Sequence, residues 1–218
     1  MKMGKVFLVI IILISYLSSF AQQDEKAKNI LGQVSSKTRS FKTIEADFLF
    51  TMDNDEMDIH EANDGTIKLK GGKYAVVLPD AGVKIYSDGE TLWNYMKDGN
   101  QVTISTVDEE NSDLMDPSSL FSIYEKGFQS KFIEEKKEGN RTLYIIELYP
   151  DERFQDISKI SLSINKATMM IDTATLYGTD DNLYGIKVKK METNKSFPDS
   201  SFVFNADEYK DVEVIDFR

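Results

Sequence analysis

The sequence predicts a mainly β fold with some α: a long, strongly curved antiparallel sheet with one apolar face, partly covered by helices. Three observations carry that prediction. From Phe41 onward apolar and polar residues alternate with a period of two, which sends successive side chains to opposite faces of a strand. The alternating runs are punctuated by turn residues such as Gly71-Gly72, Asp88-Gly89 and Asp98-Gly99-Asn100, the grammar of hairpins. Only two stretches carry the three- and four-residue apolar spacing of a helix.

The chain is expected to begin with a leader. Lys2 and Lys5 precede an apolar run from Val6 to Leu17, and Ser19-Phe20-Ala21 offers small residues where a signal peptidase reads them. Residues 1–21 are expected to be a signal peptide and 22–218 a single domain. The apolar run is shorter than the ~20 residues a bilayer requires. With no cysteine, neither a lipid anchor on a lipobox thiol nor a disulfide is available.

Asp24 to Lys37 reads as an amphipathic helix, with Ala27, Ile30, Leu31 and Val34 on one face and Asp24 placed to cap the first amides. A long strand follows, with Ile44, Ala46, Phe48 and Phe50 on one side. The acidic segment Asp53 to Asp64 fits either a half-exposed strand or a loop. Ile67 and Leu69 share a face of the next strand, which ends at Gly71-Gly72. Lys73 to Pro79 and Val83 to Tyr86 lead into the hairpin at Asp88-Gly89, whose second strand carries the only tryptophan, Trp93, and Tyr95 on one face. Gln101 to Thr106 returns.

Val107 to Ser119 is acidic and irregular, and Asp116-Pro117 then opens the second helix, with Leu120, Phe121 and Tyr124 as its stripe. Strands resume from Gln129 to Glu135 and from Thr142 to Tyr149. The run Ile157 to Ile164 alternates cleanly through Ile160, Leu162 and Ile164. After Thr168 to Tyr177 comes Leu183 to Thr193, where Tyr184, Ile186 and Val188 oppose Lys187 and Lys189.

Composition narrows the function. The formal charge of -11, about -13 once Lys2 and Lys5 are removed, disfavours nucleic acid, whose binding rests on Lys and Arg neutralising phosphates. It equally disfavours an anionic bilayer surface. Catalytic machinery is thin: there is no thiol, no Gly-x-Ser-x-Gly elbow and no phosphate-binding loop, and His60 is the only histidine. No metal or cofactor is expected. What remains is the apolar face, with Phe48, Phe50, Trp93, Tyr95, Tyr184 and Ile186, and the middle helix with Leu120, Phe121 and Tyr124. A sheet of about ten strands is too large for two helices to cover, so an apolar cavity is predicted beneath them. An acyl chain suits such a lining. At ~0.8 kcal/mol per buried methylene, a chain of about sixteen carbons gains roughly 12 kcal/mol over water, so a carrier needs apolar area and a movable cover rather than a catalytic group.

The segment Ser87-Asp88-Gly89-Glu90-Thr91-Leu92-Trp93-Asn94-Tyr95 resembles the Ser-Asp-Gly-x-Thr-Leu-Trp-x-Tyr motif of the periplasmic outer-membrane lipoprotein carrier family. Weaker matches follow in the expected order: Phe41-x-x-Ile44-x-Ala46-x-Phe48, Gly65-x-Ile67-x-Leu69, Asp116-Pro117-Ser118-Ser119-Leu120, Phe202-x-Phe204 and Val212 to Phe217. The resemblance implies an unclosed half-barrel whose concave apolar surface is capped by helices. It implies a soluble periplasmic monomer that takes acylated lipoproteins from an ATP-driven inner-membrane release complex to an outer-membrane acceptor. One departure stands out. Family members often carry an arginine after the Gly-x-Ile/Leu strand that latches the lid, whereas this chain has Lys70 and Lys73 around Gly71-Gly72, and lysine lacks arginine's planar fork. The alternative reading is an exported binder of free lipid or fatty acid with the same fold.

Overall fold

The computed structural model describes residues 24–107, 127–152 and 154–218. The predicted leader and the predicted middle helix, with Leu120, Phe121 and Tyr124, lie outside the described residues. Residues 24–39 form helix α1. The strands are β1 (Ile44–Asn54), β2 (Ile59–Lys70), β3 (Lys73–Leu78), β4 (Val83–Ser87), β5 (Thr91–Met96), β6 (Gln101–Thr106), β7 (Phe128–Glu138), β8 (Arg141–Pro150), β9 (Ile157–Asn165), β10 (Met170–Gly178), β11 (Leu183–Thr193) and β12 (Glu213–Asp216). They make one twelve-stranded sheet in the order β12-β6-β5-β4-β3-β2-β1-β11-β10-β9-β8-β7. Its two edges, β12 and β7, do not pair, so the sheet is an open half-barrel. Neighbours are antiparallel except β12, which lies parallel to β6.

The acidic stretch after β1 resolves as a hairpin with a turn at residues 55–58. Asn54 anchors it from a buried position: its Nδ2 donates to Asn182 Oδ1 at 2.7 Å and its Oδ1 accepts from the Met57 amide at 2.9 Å. At the predicted hairpin, Gly89 has φ +96°, a conformation that favours glycine. Asp88 Oδ1 accepts from the amides of Glu90 and Thr91 and closes the loop.

Directly opposite residues of paired strands share a face, so the register traces one surface across the sheet. Ile44 faces Leu69, Ala46 faces Ile67 and Phe48 faces Gly65. Ile67 faces Val76, and Val76 faces Ile85. In the other direction Phe50 faces Ile186, Ile186 faces Ala174, Ala174 faces Leu162, and Leu162 faces Ile146. This face is the concave, apolar one. The apolar stripe of α1, Ala27, Ile30, Leu31 and Val34, is buried in the same cluster. Burial of Ile30, Leu31 and Val34 is worth roughly 1.5–3 kcal/mol apiece, and that packing holds a helix only marginally stable alone. Lys26 fastens its N-terminal end, with Nζ 3.6 Å from the Phe132 ring centroid and 3.4 Å from Glu135.

The opposite, convex face carries a second cover. After β11 the chain crosses behind β2 to β6 as a strap over residues 195–212, with short 3-10 turns at Asp199–Phe202 and Ala206–Glu208. Lys70 donates to the Phe197 carbonyl at 3.0 Å, and Lys70 and Lys73 both reach the Asp199 carboxylate, at 2.7 and 3.0 Å. Phe204 stacks on Tyr95 with ring centroids 5.5 Å apart, and Tyr209 packs tilted against it at 4.5 Å. Asn100 Nδ2 donates to the carbonyls of Lys210 and Asp211, after which β12 joins β6.

Candidate functional site

Eight of the residues predicted to line a cavity share the concave face: Phe48, Phe50, Ile67, Leu69, Ile160, Leu162, Tyr184 and Ile186. Burial on that face is uneven. Ile44, Ala46, Leu162 and Ile164 are buried, whereas Phe50, Tyr184 and Ile186, nearer the other end of the trough, are only half-buried. Phe50 and Tyr184 stack there with centroids 6.5 Å apart. Gly65 leaves room for this surface: a Cβ at that position would lie 2.5 Å from Phe48 Cζ, so the Phe48 ring lies across the neighbouring strand.

Trp93 and Tyr95 do not belong to it, and this corrects the expectation that one face holds all the aromatics. Ile85, on the concave face, is opposite Asn94, so Trp93 and Tyr95 point to the convex side. There they form a separate cluster with Val102 and Phe204, packed against by Tyr86 and Tyr209. The cause is parity. The lengths of the turns between β2 and β5 decide which of two alternating sets continues the apolar face, and a change of one residue would exchange them. The lysines flanking Gly71-Gly72 likewise serve the convex side. Lys70 and Lys73 hold the strap through Asp199, on the face of the sheet away from α1.

Sequence reading missed the residues where the concave face opens. Pairing between β10 and β11 stops at Thr173 and Lys187, although both strands run on towards α1. Each carries a register shift in that stretch, at Ile171/Thr173 of β10 against β9 and opposite Asp47/Phe48 on the β1 side of β11. Such bulges bend strands and disrupt a ladder. Between them lies a cavity of about 530 Å³, roofed by Lys37 and Phe41 at the C-terminal end of α1 and walled by Met170, Ile171, Val188 and Met191. That volume is within the 300–1,000 Å³ usual for small-molecule sites. The only sequence signal was the alternation that put Val188 beside Ile186; the bulge that turns Met191 to the same side leaves no mark.

The chain matches the family described as outer membrane lipoprotein carrier protein LolA over residues 39–205, and it belongs to that family. No curated protein matches it. Among solved structures it is similar to an uncharacterized conserved protein from Thermus thermophilus, at 13% identity and TM-score 0.59, covering 88% of this chain and 99% of the other. It is also similar to a DUF1329 family protein from Desulfovibrio piger, at 10% identity and TM-score 0.50, covering 83% of this chain and 97% of the other. At such identities the likeness is one of fold.

Proposed function

We propose that the protein carries acylated lipoproteins through the periplasm, holding their acyl chains against the concave face beneath α1. The observation that supports this most is the continuous apolar concave surface, half-buried at Phe50, Tyr184 and Ile186 and roofed, among the described residues, by one helix. The magnitudes favour exchange. Burial of Ile30, Leu31 and Val34 totals roughly 5–9 kcal/mol, less than the roughly 12 kcal/mol an acyl chain of about sixteen carbons gains on leaving water. A chain can therefore displace the helix from part of the face, and the helix can recover it when the cargo departs. The role is binding rather than catalysis. The cargo would come as a monomeric complex from an ATP-driven inner-membrane release complex and pass to an outer-membrane acceptor, the partners that membership of the family suggests.

The test is competition. An apolar fluorescent probe bound to the protein should be displaced by a synthetic lipopeptide with an acylated N-terminal cysteine and untouched by the same peptide without its acyl groups. Equal binding of the two peptides would remove the carrier reading.

A further inference from the structure

Resting on the acyl-chain-binding part of that reading, we infer that the cavity between β10 and β11 holds the acceptor-rich, anionic head of an acyl amphiphile, a carboxylate or a phosphate, while the tail runs onto the concave face. The walls Ile171, Val188 and Met191 belong to that face, so cavity and trough are continuous through them. Apart from Asp172, the polar groups of the lining can donate. Lys37 is exposed, its ammonium 5.4 Å from the Phe41 ring centroid. Asn165 spends its Oδ1 on the amides of Ala167 and Thr168, at 2.9 and 3.3 Å, which leaves its NH₂ as the free end of the side chain. Thr168 and Thr193 add hydroxyls. The carboxylate in the lining, Asp172, is engaged by Arg141 at 2.6 Å, which also reaches Glu138 at 3.2 Å, and it accepts from the Thr173 hydroxyl.

The arrangement is specific because the whole molecule opposes it. A chain with formal charge -11 repels anions at long range, so any preference for them must come from local donors. An ammonium beside an anionic head strengthens binding about fivefold.

The experiment measures affinities for three single-chain ligands of equal length: palmitate, a palmitoyl lysophosphatidylglycerol and the neutral glyceryl monopalmitate. The full-length protein should bind both anions about fivefold more tightly than the neutral ester. Lys37→Gln should abolish that preference without weakening the neutral ligand, Lys37→Arg should retain it, and Lys97→Gln, at the opposite end of the sheet, should leave it intact. Palmitate alone being favoured would identify free fatty acid as the head's source, and lysophosphatidylglycerol alone a phospholipid; either supports the site. Equal affinities for all three, or a preference that survives Lys37→Gln, overturn it while leaving the carrier reading standing. Failure of every ligand to bind would also overturn the site, while the carrier reading would still be decided by the lipopeptide competition.

Discussion

Thr38 lies in the last turn of α1 with its hydroxyl buried and unpartnered. A buried hydroxyl without a partner costs free energy, and valine has the same shape and nearly the same helix propensity. Thr38→Val should therefore stabilise the protein by about 1 kcal/mol, read as a higher urea midpoint with unchanged slope. Asp199 makes the opposite kind of statement. Hydrogen bonds from Lys70 and then Lys73 hold its carboxyl below the ordinary value of 3.8. A depressed carboxylate stabilises the folded chain above the unfolded value, and that stabilisation disappears as pH falls through the folded one. The contribution of Asp199 should thus be constant down to about pH 4 and fall below it, and Asp199→Asn should blunt that part of the fall in an acid titration followed by circular dichroism. At this scale the sequence was readable where one strand sufficed. Ile160, Leu162 and Ile164 alternate without interruption, and all three are buried on the concave side. Asp199 was not readable, because its meaning depends on lysines far away in the chain.

The elements divide between the two faces. α1 was legible in full, since its apolar spacing and its end near Lys37 are local properties. The strap was not: Phe204 and Tyr209 look like ordinary aromatics until the fold packs them against Tyr95. The same tertiary contact explains why Trp93 and Tyr95 misled. Large aromatic side chains beside a tight turn suggest a ligand wall, yet here they are the floor for the protein's own C-terminal segment. Phe204→Ala should cost about 3–5 kcal/mol, the usual loss for a buried phenylalanine. It should shift the emission of Trp93, the only tryptophan, towards the red, while leaving displacement of the apolar probe unchanged because the trough is on the other side. A parallel loss of probe binding would show that the two faces are not independent.

For the whole molecule the governing fact is that a single layer of backbone separates two apolar surfaces with different fates. Photocrosslinkers placed at positions 50 and 93 make the contrast measurable. Position 50 should capture an acylated cargo peptide and position 93 should not, although the sequence nominated both. An open antiparallel sheet was legible because period-two runs and turns recur from β1 to β11. Which side of β4 to β6 continued the trough was not, since that answer accumulates over every turn between β1 and β5.

The parallel strand at the sheet's edge has one more effect. Residues 195–216 follow β4 and β5 by about a hundred residues, so Tyr86, Trp93 and Tyr95 are made long before the segment that shields them. Nascent chains of this protein pass through a stage with bare aromatic backs, the kind of surface on which incomplete polypeptides stick to one another. Emergence of the strap is what makes the outside of this molecule safe.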